Sequence, residues 1–358
     1  MKKIFPFFSI IIPTFNRVRF LDLAIRSIIR QNFTSYEIII SDNASTDGTK
    51  DLVLRYQKQG YPINYYLHKQ AVPPQQNVLK GFYLAKGKYA FLLGDDDVIL
   101  KRDTLQTLQI LAKKYNPGFI KISTILYDEN LNSINDIYKG FLLAAGIKHI
   151  SPKNPILPWE LNDKYLEFMS GSIYRNDKKL LRFLNHNDVL YFSLNFTYKL
   201  CYQYGAVFCG DQFILGRFFQ SGHYFYNFIE PKFSLDTMHD CAKQYFQDKH
   251  AYQIFDQKLR RAALLHVINW RLILPPKLLK TYIKKIYQKD KWRVLNAFYY
   301  VQALFFKYVP RFLLRFFKKI YILQNKQTIK KTILSRNMLE EIQKYIDLKS
   351  SNIKLKVK

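Results

Sequence analysis

Three aspartates, Asp95, Asp96 and Asp97, follow Gly94 directly behind the apolar run Tyr89 to Leu93. Carboxylates in succession repel one another, and at the end of a buried strand they are costly to desolvate without a cation. A hard divalent ion, Mg²⁺ or Mn²⁺, prefers oxygen ligands. It commonly binds through one or two carboxylates and completes its shell with phosphate oxygens and water. The competing reading is a solvated acidic turn ahead of a helix near Thr104, which the position after an apolar strand disfavours. Two further polar segments stand in similar places: Pro13-Thr14-Phe15-Asn16-Arg17 after one apolar run, and Asp42-Asn43-Ala44-Ser45-Thr46-Asp47 after another. Asp-Asn there is also ordinary turn chemistry.

The elements that position these segments alternate. Phe8 to Ile12 is a continuous β-branched run of the kind a strand buried on both faces requires. Leu21, Ala24, Ile25, Ile28 and Ile29 then follow helical spacing. The pattern continues with strand 37–41, a helix over 48–59, strand 63–67, a helix over 75–85 and strand 89–93. It predicts a mostly parallel sheet with helices on both faces, and ligands then bind beyond the carboxyl ends of the strands where strand order reverses. The opening MKKIFPFFSIIIP imitates a signal peptide, but Pro6 and Pro13 interrupt it, so it reads as the first strand. Neither Gly-x-Gly-x-x-Gly nor a Gly-Lys-Ser/Thr phosphate loop is present. A nucleotide ligand is therefore to be held by carboxylates and metal rather than a glycine cradle.

These segments together resemble the family 2 glycosyltransferases, whose catalytic domain has the GT-A fold. The matching text is FSIIIPTFNR (8–17), YEIIISDNASTDGT (36–49) and the stretch from Asn77 through AKGKYAFLLGDDD (85–97). The resemblance covers residues 4 to about 110 strongly and 160 to 240 loosely. It implies that Pro13, Thr14, Asn16, Arg17, Asp42, Asn77, Asp95 and Asp96 contact a nucleoside-diphosphate sugar, UDP-sugar first among them. It also implies a Mn²⁺ or Mg²⁺ ion held by the acid cluster through Asp97 and Asp95, with His239 approaching as a C-terminal loop closes. CGDQFILGRFFQSG (209–222) resembles the segment in which an acid opens a helix beside the acceptor, so Asp211 is the expected base and its lesser role is an N-cap. GSIYR (171–175) falls where acceptor contacts are expected. Direct displacement at the anomeric carbon with one base implies inversion. Gly94 stands where the family commonly has Asp, which leaves open which of Asp95, Asp96 and Asp97 binds the metal directly. Pro73-Pro74-Gln75-Gln76 replaces a usually glycine-containing segment, a departure that bears on donor-sugar preference.

The chain of 358 residues is 48% apolar, enough for a large core, and carries a formal charge of +29. Cys201, Cys209 and Cys241 form no Cys-x-x-Cys pair, which points to a reducing compartment rather than a disulfide framework or zinc knuckle. Charge is uneven: residues 251–358 hold 25 Lys and Arg against five acids. The expected division is a GT-A domain over 1–250, with a donor half to about 110 and an acceptor half over 111–250, followed by a basic, mainly helical region over 251–358. In that tail the longest uncharged stretch lies between Arg293 and Lys307, 13 residues. A membrane-crossing helix needs about 20. Leu295, Phe298, Tyr299, Phe305 and Phe306 instead recur at helical spacing, with Lys307, Arg311, Arg315 and Lys318 on another side. Such a helix suits the headgroup region of an anionic bilayer or, alternatively, packs its aromatic side on the main domain. The expectation is an enzyme on the inner face of a bacterial cell membrane that glycosylates a lipid-linked or surface-glycan acceptor. The rivals are a nucleic-acid-binding protein using the basic aromatic tail, a nucleotidyltransferase on a similar sheet, and an inactive scaffold. Acids clustered at the strand ends repel phosphates in the absence of a metal and weigh against nucleic acid.

Overall fold

In the computed structural model, residues 5–127, 143, 145–154, 169–184, 193–217, 309–310 and 312–313 are described. β1 (Phe8–Thr14) lies at the heart of the sheet, and its Ile10, Ile11 and Ile12 are fully buried, as helices packed on both faces demand. α1 (Val18–Ile29) buries Leu21, Ala24, Ile25 and Ile28, the stripe its spacing implies. β2 (Tyr36–Asp42), α2 (Thr49–Lys58), β3 (Ile63–Leu67), α3 (Pro74–Leu84) and β4 (Tyr89–Leu92) complete the predicted alternation. β1 runs parallel to β2 and to β4, and β2 parallel to β3.

Next come β5 (Val98–Ile99), α4 (Thr104–Tyr115), β6 (Phe119–Tyr127), β7 (Ile147–Ile150) and β8 (Ser172–Arg175). A 3₁₀ helix (Lys178–Phe183), α5 (Leu194–Tyr204) and β9 (Ala206–Arg217) follow. Among the described residues the sheet order is β3-β2-β1-β4-β8-β6-β9-β5, with β7 on β9. Strand order reverses between β1 and β4, so the crevice beyond their carboxyl ends is the place for a ligand.

The second half of the sheet departs from the uniform direction of the first: β8 opposes β4 and β6, while β5 and β7 oppose β9. For β5 the reason is loop length: only residues 93–97 separate it from β4, too few for the crossover of a dozen or more residues that a parallel course needs. β5 therefore turns back and is fastened to α1, where Arg30 Nη2 donates to the carbonyls of Ile99 (2.8 Å) and Leu100 (2.6 Å). At Gly118, before β6, a Cβ would stand 2.2 Å from the Leu200 carbonyl oxygen, and its absence lets α5 close onto the sheet. No helix among the described residues is long and apolar enough to cross a membrane. The division expected at residue 250 and the amphipathic pattern from Leu295 to Phe306 lie outside the described residues.

Candidate active site

At the reversal point the end of β1 meets the acid turn behind β4. Thr14 Oγ1 donates to Asp95 Oδ2 at 2.8 Å. Arg17 Nη1 donates to Asp95 Oδ1 (3.1 Å) and Asp96 Oδ2 (2.8 Å), so one guanidinium bridges two carboxylates. The Asp97 amide donates to the Gly94 carbonyl at 3.2 Å, closing 94–97 as a β-turn with Asp95 and Asp96 at its centre. Asp95 and Asp97 are 5% and 3% exposed, whereas Asp96 is only part-buried. Burial raises the Asp95 pKa to about 6, against the pull of Arg17 and with a push from Asp96. The turn thus holds more negative charge than one arginine offsets.

Gly94 has a steric reason. A Cβ there would lie 2.7 Å from Asp97 Oδ2 and 3.1 Å from Asp96 Oδ1. An aspartate at 94 has no room, because Asp97 is turned inward beneath the turn, where its Oδ2 accepts from the Ser170 hydroxyl. Asp97 thus also anchors the turn, and Asp96 is the most exposed carboxylate of the three.

The loop after β2 is sewn to the loop after β1. Asn16, in the left-handed region at φ 52°, accepts the Thr46 amide at Oδ1 (2.8 Å), and its own amide donates to Ser45 Oγ (2.8 Å). Asp47 Oδ2 accepts the Val18 amide at 2.8 Å and Oδ1 accepts Thr49 Oγ1 at 2.6 Å, so one acid serves the first turns of both α1 and α2. Asp42 is wholly buried. Its Oδ1 accepts the Ser45 amide (2.9 Å) and its Oδ2 accepts the Tyr65 hydroxyl (2.6 Å). Burial and that hydrogen bond both push the Tyr65 pKa upward. Ala44 at φ 63° adopts a left-handed conformation that costs a residue with a Cβ about 1–2 kcal/mol, which the Asp42 bonds around it offset. Asn77, on α3 and 4% exposed, accepts the Ser41 hydroxyl at 2.7 Å and ties α3 to β2.

The expected site residues therefore separate. Asn16, Arg17, Asp96 and half-buried Pro13 stand toward the crevice, while Thr14, Asp42, Asn77, Asp95 and Asp97 build the wall beneath it. Ser45, Asp47, Tyr65 and Ser170 were not signalled as participants by the sequence; the Ser and Asp lie inside quoted motifs, but Tyr65 and Ser170 reach the site only through the fold. His239 lies outside the described residues.

Asp211 lies on β9, level with the acid turn by strand register, since Lys121 stands beside Ser172, opposite Leu92, and beside Phe208. It opens no helix, because β9 continues through it to Arg217, with a register irregularity where β6 passes from Ile122 to Ser123. Its carboxylate accepts the Gly146 amide at 3.0 and 3.1 Å, and Lys101 Nζ donates to its carbonyl at 2.7 Å. The Lys101 carbonyl in turn accepts from Gln31 Nε2 (2.8 Å), just past the C-terminal end of α1. The helix in this region is α5, which precedes Asp211, starts at Ser193 and has no acid in its first turn.

A divalent cation fits the turn by the chemistry of its donors. Two adjacent carboxylates are what a Mg²⁺ or Mn²⁺ ion shared with a diphosphate commonly takes from protein. Among the described residues there is no cluster of three or more acid, His or Cys side chains that would hold a metal unaided. A model of the family described as glycosyl transferase family 2 matches residues 9–218, more than half of the chain.

The chain belongs to glycosyl transferase family 2. Two members resemble it in sequence. One is a GalNAc(5)-diNAcBac-PP-undecaprenol beta-1,3-glucosyltransferase of Campylobacter jejuni, 30% identical over 192 residues, covering 53% of this chain and 60% of that one. Another is an abequosyltransferase of Salmonella typhimurium, 31% identical over 170 residues, covering 47% of this chain and 45% of that one. The chain thus spans about half the length of these relatives. In fold it resembles residues 1–349 of S. aureus TarS, solved with UDP-GlcNAc, at a TM-score of 0.58 and 16% identity over 87% of this chain and 91% of that one.

Proposed function

We propose that this family 2 chain transfers a sugar from a nucleoside-diphosphate sugar to an acceptor hydroxyl with inversion at the anomeric carbon. The observation that carries the reading is the Arg17 bridge across Asp95 and Asp96 at the strand-order reversal between β1 and β4. Asp96, with Asp95 beside it, would hold a Mn²⁺ or Mg²⁺ ion, which supplies Lewis-acid neutralisation of the charge growing on the departing diphosphate. Thr14 and Arg17 orient the two carboxylates, and Arg17 opposes the burial that raises the Asp95 pKa. A guanidinium also presents a fork of donors suited to phosphate, so Arg17 is placed to orient the diphosphate. Asn16 and the Asp42-braced loop over 43–47 form the wall for the nucleoside, UDP being the first candidate because a fold neighbour was solved with UDP-GlcNAc.

Asp211 is the residue we assign as the base that takes the acceptor's proton, its place on β9 being level with the acid turn by strand register. The test is release of nucleoside diphosphate from a panel of nucleotide sugars with Mn²⁺. One donor should be turned over, EDTA should abolish that turnover, and Asp211→Asn should lower it about 10²–10⁴-fold, the cost of losing a general base. No turnover of any donor would overturn the proposal, and turnover retained within about tenfold in Asp211→Asn would remove that residue as base.

The acceptor class we infer is a lipid-linked glycan. The C. jejuni relative is named for an undecaprenol-linked substrate, and the last 108 residues of this chain hold 25 Lys and Arg against five acids. Each basic residue near an anionic bilayer adds about 1 kcal/mol. The full-length protein should sediment with vesicles containing anionic phospholipid and be released by high salt. Equal recovery with neutral vesicles, or none with either, would remove the membrane part of the reading.

A further inference from the structure

Beneath the acid turn lies a charged side chain that the reaction outlined above does not use. Lys121, the third residue of β6, has no exposed surface. Its ammonium donates to the Ser170 carbonyl (2.9 Å) and to Ser172 Oγ (2.8 Å). A cation taken wholly out of water costs several kcal/mol unless it is hydrogen-bonded and compensated by opposite charge. The compensating charge is Asp97, which favours the ammonium form of Lys121 against the burial that pulls its pKa down to about 7.

Ser170 links the two. Its carbonyl is held by Lys121, while its hydroxyl accepts the Gly94 amide at 2.7 Å and donates to Asp97 Oδ2. One serine therefore grips the first and last residues of the β-turn whose central residues are Asp95 and Asp96. The register makes this possible: Leu92, Ser172 and Lys121 stand side by side across β4, β8 and β6, so Ser170 falls level with Gly94, two residues along antiparallel strands. The Gly94 cradle is part of the same arrangement, since a Cβ there would come within 3.2 Å of Ser170 Oγ.

We propose that Lys121 and Ser170 are positioning residues for the donor site: a buried charge and a two-ended hydroxyl that clamp residues 94–97 so that Asp95 and Asp96 present their carboxylates to a cation-bound nucleoside diphosphate. The inference rests on the functional reading given above. Residues that orient metal-binding side chains from behind typically cost about 10–100-fold in affinity when altered.

The probe is Mn²⁺ with UDP, titrated calorimetrically into the full-length protein, with thermal unfolding measured alongside. Ser170→Ala and Lys121→Met should each weaken Mn²⁺-dependent UDP binding about 10–100-fold and raise the donor KM. The pair Lys121→Met with Asp97→Asn removes both buried charges at once; it should regain thermal stability over Lys121→Met alone yet leave UDP binding weak. A clamp that mattered for folding alone would behave differently: Ser170→Ala and the charge-free double variant would bind Mn²⁺ and UDP as the wild type does while only the unfolding temperature moved, and that result overturns the proposal. Should Lys121→Met fail to fold, Ser170→Ala decides the matter. Absence of binding by the wild-type protein would instead remove the functional reading, and the clamp with it.

Discussion

Asp96→Asn is expected to lower kcat/KM by about three orders of magnitude with little change in stability. The expectation follows from position. Asp96 is the part-buried carboxylate at the centre of the turn and shares Arg17 with Asp95, so it is the acid best placed to reach a cation from the crevice. Charge stabilisation by a bound cation is worth several kcal/mol in the transition state, and about 4 kcal/mol corresponds to about a thousandfold in rate. Stability should change little because loss of the Arg17 ion pair is offset by relief of the repulsion between Asp96 and Asp95. Chelation of wild-type enzyme should produce a comparable loss and add little to the variant. Steady-state kinetics across a Mn²⁺ titration would check both, and a variant with unchanged kcat/KM and unchanged Mn²⁺ dependence would exclude Asp96 as ligand.

Asp42→Asn acts through a different physical effect. The wild-type carboxylate accepts from two donors, the Ser45 amide and the Tyr65 hydroxyl, with no exposure to solvent. Asparagine has one acceptor oxygen, so one donor is left facing an NH₂ group. A buried donor without a partner costs about 1–3 kcal/mol. The loop over 43–47 then loses the bond that sustains the left-handed Ala44, and with it the pairing of Asn16 to Ser45 and Thr46. UDP affinity should fall at least tenfold, and unfolding should shift by an amount matching that loss of stability. The Tyr65 hydroxyl, relieved of its carboxylate neighbour, should titrate at lower pH in ultraviolet difference spectra. Tight UDP binding together with an unmoved Tyr65 would show that the loop does not depend on Asp42.

Some of this architecture is written in short-range pattern. The isoleucines of β1, the three- and four-residue spacing of α1 and the acid string after β4 each depend on neighbours within a dozen positions. Periodicity and turn composition therefore reveal them, and their order carries the family resemblance. The reversal at β5 escaped that reading because direction is decided by how far a loop can reach, and the five residues 93–97 are too few to carry the chain back for a parallel strand.

The sequence by itself determined that acids and polar loops would gather where strand order reverses, because hydrophobic periodicity dictates the strands and whatever follows them must lie at their ends. Which acid looks outward was decided by tertiary structure alone. Asp95, Asp96 and Asp97 are identical in type and adjacent in the chain, and they are told apart by Thr14 and Arg17 on one side and by Ser170 on the other, partners more than 70 residues distant. Asp211 sits within β9 rather than at the start of a helix, and strand register sets it level with the acid turn, a placement its local motif does not contain. Side-chain role in this site is a property of long-range contacts, which no local window of sequence contains.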